Sequence, residues 1–283
     1  MANEYKNPLF EKLKETWNNN KKGGYKNVLK TTPDNTYIVR VVPDTEDVSK
    51  TFFQYYLHGW TSSTDGRYVS TVCPTTYGED CPICTERFRL WNKGDDASKE
   101  LSKNLARKER YYSNVYVVDD PTNEENNGTV KIFGFGRQIK KIIDEAIEGD
   151  DAEEIGGRMM DFTKEGCNLR IKVEKNKAGF PNYDRSKFVV PSAVSISLDD
   201  AVAQIHDFDP LLVRKTQDEM KDMLENALYG AGEMQEEPSK PVKEGVNAID
   251  ELVGKADKEE EDIPMDFDSP ADEEDILAEL DNL

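Results

Sequence analysis

The chain has 283 residues, with 37 Lys plus Arg against 57 Asp plus Glu and a net charge of -20 at pH 7. That length suits one large or two small domains with a real hydrophobic core. No run of about 18 consecutive apolar residues occurs, and Met1 to Phe10 lacks the apolar stretch of a signal peptide, so neither membrane insertion nor secretion is expected. Four cysteines are too few for a disulfide scaffold, and three of them crowd between Cys73 and Cys84, which points to a metal.

In chain order, helical spacing fits Pro8–Trp17, most of a first segment (residues 1–20) read as an N-terminal arm and candidate cooperativity element. A core follows over 21–232. Its strand-like runs are Tyr37–Val42, Phe52–His58, Arg67–Val72, Tyr111–Val118, Thr129–Phe135 and Asn168–Glu174. Helical patterns fit Pro82–Trp91, Lys99–Arg110, Gln138–Ile147 and Pro210–Leu228, the last with Asp209 as its expected N-cap. Short strands with helices in the connections predict an α+β, mainly β chain: a small barrel with insertions and helical flanks.

Residues 233–283 read as a linker and a disordered acidic tail. Between Glu233 and Leu283 stand 19 acids and 4 bases, a net of -15, whereas Met1 to Ile143 carries 22 bases and 19 acids. At its end Ile276, Leu277, Leu280 and Leu283 fit one face of a short helix ringed by acids. Such mixing of acidic and apolar residues suits a segment that orders on a partner.

His58, Cys73, Cys81 and Cys84 form a His-x14-Cys-x7-Cys-x2-Cys set. Three thiolates and an imidazole complete a tetrahedral zinc site, and four protein ligands leave no open position, so one structural Zn2+ is expected. The competing reading makes His58 an ordinary strand residue and the cysteines small buried hydrophobes. A nucleobase deaminase would need Glu two residues after the ligating His and Pro before the Cys pair; Trp60 and Asp80 stand there. No nucleophile elbow, Walker loop or dinucleotide fingerprint occurs, and we expect no enzyme. Cys167 and His206 read as residues without chemistry.

Aromatic and cationic residues interleave through the core: Tyr55, Tyr56, Trp60, Arg67 and Tyr68; Arg87, Phe88, Arg89 and Trp91; Arg107, Lys108, Arg110, Tyr111, Tyr112 and Tyr116. Lys131, Phe133, Phe135 and Arg137 follow, then Phe180, Tyr183, Arg185, Lys187 and Phe188. Any one ring in a strand is by default core. As a pattern they suit a groove in which bases stack on rings while cations follow the phosphates. No helix-turn-helix or paired-His finger spacing suggests a duplex reader.

Several motifs together resemble the single-stranded-DNA-binding (helix-destabilising) protein family of T-even-type bacteriophages. They are His58-Gly59 with Cys73 and Cys81-Pro82-Ile83-Cys84, then Arg107-Lys108-Glu109-Arg110-Tyr111-Tyr112-Ser113-Asn114 and Val117 to Pro121. Asn182 to Phe188 and Asp275 to Leu283 add to them. The resemblance implies an OB-fold-type barrel with an inserted zinc-binding subdomain, a cleft for single-stranded DNA and an acidic tail for replication proteins. By matched position it implies zinc on His58, Cys73, Cys81 and Cys84, DNA-facing Trp91, Tyr111, Phe180 and Tyr183, and a basic cluster of Arg107, Lys108 and Arg110. The arm departs from the family pattern, with bases among its first 20 residues only at Lys6, Lys12 and Lys14.

Pattern and resemblance together make the candidate DNA-binding set Trp91, Arg107, Lys108, Arg110, Tyr111, Tyr112, Phe133, Phe135, Arg137, Phe180, Tyr183 and Lys187. Ile276, Leu277, Leu280 and Leu283 form the candidate partner-binding set. The expected function is sequence-nonspecific binding and protection of single-stranded DNA during replication, recombination and repair, in the cytoplasm of an infected bacterial host. Expected partners are further copies along the strand and proteins such as a polymerase, a helicase loader and a recombinase. The alternative is a zinc-containing adaptor or transcription factor acting through its acidic tail.

Overall fold

Alternation of apolar and polar residues builds the strands, and a computed structural model, which describes residues 26–229, shows how they assemble. The arm with Pro8–Trp17 and the tail with Ile276, Leu277, Leu280 and Leu283 lie outside the described residues. Strands β1 (Asn35–Val41), β2 (Phe53–Thr61), β3 (Tyr68–Val72), β4 (Lys108–Asp119), β5 (Val130–Phe135), β6 (Leu169–Lys175), β7 (Pro181–Asn182) and β8 (Lys187–Phe188) form one antiparallel sheet. Its order is β3-β2-β4-β1-β6-β7, with β5 also on β4 and β8 also on β6.

β4 makes the sheet curl. Its first half pairs with β2 through Leu57↔Lys108 to Phe53↔Tyr112, its second half with β1 through Val41↔Val115 to Ile38↔Asp119, and its other edge with β5. An irregular register between Ile38 and Val39 adds to the bend. The result is a curled half-barrel of α+β type.

Two cores sandwich this strand. Inside the curl Tyr37, Val39, Tyr111, Val115, Val117, Phe133, Phe135, Leu169, Ile171 and Val173 pack together. Helix α3 (Arg137–Glu148) closes them over with Ile139 and Ile143, one turn apart on its buried face. On the other side Tyr55, Leu57, Tyr112 and Ile132 meet Phe208, Leu211 and Leu212 of the returning chain. Coverage of both faces explains why β4 is buried without a break from Arg110 to Val117, although Arg110, Ser113 and Asn114 are polar.

Buried polar groups fasten the return. Arg40, fully buried on β1, donates to Asn168 Oδ1 at 2.8 Å, Gly166 O at 3.0 Å and Ser192 O at 2.8 Å. Asn114 exchanges side-chain hydrogen bonds with the backbone of His206, whose Nε2 lies 2.9 Å from Val130 O. His206 is thus a latch between the return and the sheet.

Two helical expectations shift. The pattern over Lys99–Arg110 yields α2 only over Asp96–Asn104, because Lys108, Glu109 and Arg110 join β2; a ladder partner outweighs their good helix propensity. The pattern over Pro210–Leu228 yields a 3-10 turn, Asp209–Leu211, and then α5 (Gln217–Leu224), after the short α4 (Leu198–Val202). Thr216, not Asp209, is its N-cap, in a reciprocal capping box with Glu219. Among the described residues no helix is long and apolar enough to cross a membrane.

Candidate metal centre and nucleic-acid face

The β2–β3 hairpin and helix α1 (Pro82–Lys93) bring four ligands to one point. Pairing of Leu57 with Val72 and of His58 with Thr71 sets His58 beside the end of β3, where Cys73 follows. Cys81 is the N-cap of α1, Pro82 occupies its first turn, and Cys84 completes that turn.

The His58, Cys73, Cys81 and Cys84 donor atoms all lie within 4.8 Å of one another. His58 Nε2 is 3.4 Å from both Cys81 Sγ and Cys84 Sγ, and Cys73 Sγ is 3.7 Å from Cys84 Sγ. A tetrahedron with metal–sulfur bonds near 2.3 Å and a metal–nitrogen bond near 2.0 Å has edges of roughly 3.5–3.8 Å. The donor set therefore fits one tetrahedral ion, and the cysteines are free of disulfides. His58 Nδ1 lies 2.9 Å from Leu105 O, which turns Nε2 toward the sulfurs.

Without a metal the cluster shares its protons unevenly, with the Cys81 and Cys84 thiols and His58 holding Cys73 well below the usual thiol range. Burial works against a charged His58, but the sulfurs of Cys73 and Cys81 outweigh it and push the imidazole up to about 9. The sulfurs of Cys73 and Cys81, with burial, push the Cys84 thiol up as well. Around the cluster pack Trp60, Ile83, Leu90 and Leu105, together with Met220 and Leu224 of α5. The helix that leads toward the acidic tail is thus part of the metal module's core.

Beside the module lies a cationic face. The exposed Arg107 lays its guanidinium 4.4 Å from the centre of the Tyr56 ring, and the Lys108 ammonium is 5.9 Å from that of Tyr68. Lys140 of α3 stands 5.4 Å from the Tyr111 ring centre, and Arg137 Nε lies 3.9 Å from Glu109 Oε2. Glu109 accepts hydrogen bonds from Gln54 and from the Tyr111 hydroxyl. Burial and the neighbouring Glu109 push the Tyr111 pKa up, so the hydroxyl keeps its proton. Next to Arg137, Gln138 Oε1 accepts from the Tyr183 amide at 3.0 Å, and the Tyr183 hydroxyl is 3.0 Å from Thr31 Oγ1.

The face therefore gathers Arg107, Lys108, Arg137 and Tyr183 from the candidate set. Phe180 is half-buried at the end of the β6–β7 turn, Lys187 is exposed on β8, and Trp91 is 39% exposed on α1. Four candidates need correction as open contacts. Tyr112, Phe133 and Phe135 are core rings, 2–3% exposed, and Arg110 is 2% exposed with Nη1 donating to Glu109 O. Strand periodicity explains them: Arg110 and Tyr112 share the face that meets Phe208, while Phe133 and Phe135 point into the curl. Tyr111 is also 4% exposed and stacks on Phe135 at 5.4 Å, so its ring is mostly core, with the Lys140 ammonium above it and its hydroxyl on Glu109.

Sequence reasoning left Tyr56, Tyr68, Gln54 and Lys140 out of the candidate set. Only part of the signal for Tyr56 was local: it lies two residues before His58, and residues two apart on a strand share a face. Tyr55 and Leu57 pack against Tyr112 and Phe208, so Gln54, Tyr56 and His58 must share the opposite face.

The chain is thus a curled antiparallel sheet of α+β type that carries a candidate His/Cys3 metal site beside an aromatic face lined with cations. A family model described as gp32 DNA binding protein like matches residues 33–228. The chain is 32% identical over 197 residues to proteins named Single-stranded DNA-binding protein from Enterobacteria phage T4 and from Enterobacteria phage T2. Each match covers 68% of this chain and 62% of the relative, so the chain spans less than two thirds of their length. The chain belongs to the gp32-like family of T-even-type single-stranded-DNA-binding proteins.

Proposed function

We propose that this protein binds single-stranded DNA without reading its sequence, on an OB-fold-type barrel whose binding face is braced by a zinc module. The observation that carries the reading is the guanidinium of Arg107 laid over Tyr56 on the strand that bears His58. A guanidinium plane backed by a ring offers a stacking surface and a phosphate donor at once. Lys108, Arg137 and Lys140 extend the positive line toward Tyr183, and the names of the T4 and T2 relatives support this substrate.

Zn2+ suits three thiolates and an imidazole. With four protein ligands the ion would hold β2, β3 and α1 together and take no part in bond breaking, so no enzymatic step is needed. Binding only the unpaired strand shifts duplex melting by mass action. Residues 257–283, with 13 acids and 1 base, would compete with phosphates for the cationic face and, once displaced, recruit a polymerase, a helicase loader or a recombinase. The arm would serve self-association along the strand, and protection during replication, recombination and repair would take place in the cytoplasm of the infected host.

Titration of intrinsic fluorescence with single-stranded and duplex oligonucleotides over a range of salt tests the reading. Quenching by single strands is expected, with log affinity falling against log salt by about 0.7 per phosphate contacted. Equal affinity for duplex, or no salt dependence, would overturn it.

A further inference from the structure

The metal ligand Cys73 and the surface cation Arg107 share one neighbour. Thr75 lies on the short 3-10 turn Pro74–Tyr77 that follows Cys73. Its hydroxyl oxygen is 3.1 Å from Cys73 Sγ and accepts from Arg107 Nη1 at 3.3 Å. A guanidinium has donors and no acceptor, and a hydroxyl has a single proton. With its oxygen occupied by Arg107, Thr75 has its proton available for the sulfur, which as a metal-bound thiolate is an acceptor. The contact thus has a direction: Arg107 donates to Thr75, and Thr75 donates to Cys73.

The same turn fixes the ring beneath the cation. Thr76 Oγ1 accepts from the Tyr56 amide at 2.9 Å, and the Cys73 amide donates to Tyr56 O at 2.8 Å. Both members of the Arg107–Tyr56 stack are therefore tied to the four residues after a metal ligand, Arg107 through its side chain and Tyr56 through its backbone.

We propose that Thr75 is a positioning residue that couples the metal module to the DNA-binding face, holding Arg107 over Tyr56 through a hydroxyl bridge to the Cys73 thiolate. The coupling rests on the single-strand-binding reading above. Because linkage is reciprocal, a strand that engages Arg107 must also alter how firmly the module keeps its metal.

The full-length, zinc-loaded chain is compared with Thr75→Val, Thr75→Ser, Arg107→Ala and the Thr75→Val/Arg107→Ala double variant. Two quantities are measured: affinity for a single-stranded oligonucleotide, and affinity for zinc by equilibrium competition with a chromogenic chelator, with and without that oligonucleotide. Thr75→Val, which keeps the branched shape and loses the hydroxyl, is expected to bind the strand roughly three- to tenfold more weakly, the effect of one hydrogen bond. It is also expected to hold zinc more weakly without DNA, and to lose the change in zinc affinity that the oligonucleotide produces in the wild type. Thr75→Ser should restore both, and the double variant should bind no more weakly than Arg107→Ala alone, since Thr75 acts through Arg107.

Wild-type affinity in Thr75→Val, or losses that multiply in the double variant, would overturn the coupling. So would unchanged zinc affinity in Thr75→Val, or failure of Thr75→Ser to rescue. Failure of the wild-type protein to bind single strands overturns the functional reading itself and the coupling with it. Normal wild-type binding with an inert Thr75→Val overturns the coupling alone.

Discussion

Truncating two tyrosines, Tyr56 and Tyr112, separates binding from packing on the same pair of strands. The Tyr112 ring stacks on Tyr55 at 4.7 Å, meets Phe208 at 5.7 Å and is 2% exposed. Tyr112→Ala removes two aromatic contacts, each contributing about 0.5–1.5 kcal/mol beyond area, and leaves a cavity. The total for a buried aromatic is about 3–5 kcal/mol, a large part of the roughly 5–15 kcal/mol that holds a domain folded. Tyr56 is half-buried, and the Arg107 guanidinium lies over its ring. Tyr56→Ala should cost stability about 1 kcal/mol or a little more, the scale of a surface cation–ring contact plus modest burial. It should cost binding about 1–3 kcal/mol, the worth of one stacked base, or roughly five- to 150-fold in affinity. Urea denaturation measures the first quantity and oligonucleotide titration the second. A stable Tyr112→Ala that fails to bind, or a Tyr56→Ala that binds normally, would refute the division of the two strands into a core face and a binding face.

Chelation of the metal should loosen residues 58–91 together with α5, whose Met220 and Leu224 pack in the same cluster, while the sheet core persists; hydrogen exchange by segment measures this. Acid should strip the metal. The raised His58 pKa stabilises the metal-free fold fully below about 6.5, its unfolded value, and that contribution is lost as pH rises through about 9. Metal binding needs the neutral imidazole and ionised sulfurs, so affinity should rise as pH increases toward about 9 and fall below it, as a chelator competition run at several pH values would record. Arg107→Ala should flatten the salt dependence of single-strand binding by about 0.7 in log–log slope. Arg110→Ala, which removes a 2%-exposed guanidinium, should instead lower the urea midpoint. Deletion of residues 255–283 should tighten single-strand binding at low salt, with the advantage shrinking as salt screens the tail.

The parts of the fold written in local pattern were legible. Strand alternation placed β1, β2, β3, β5 and β6 within a few residues, and the Cys81-Pro82-Ile83-Cys84 pair with His58 and Cys73 named four candidate donors that the fold brings within 4.8 Å of one another. Non-local partners were not legible. Lys108, Glu109 and Arg110 continue a helical composition, and only the β2 ladder makes them a strand. Tyr112, Phe133 and Phe135 carry the composition of a stacking platform, yet a return segment through Phe208 and a helix through Ile139 cover them. The true start of α5 did have a local signature, Thr216 with Glu219 three residues on, which the stronger-looking Asp209-Pro210 pair obscured. Tyr56 shows the same limit from the other direction: its value depends on Arg107, which arrives from a distant part of the sequence.

The most direct measurement is the quenching of intrinsic fluorescence of the full-length, zinc-loaded protein by a short single-stranded oligonucleotide, with the duplex of the same sequence alongside. Saturable quenching by the single strand that weakens with salt and is lost in part in Arg107→Ala is the predicted result. No saturable quenching, or equal response to the duplex, would contradict a single-strand-binding face at Arg107 and Tyr56.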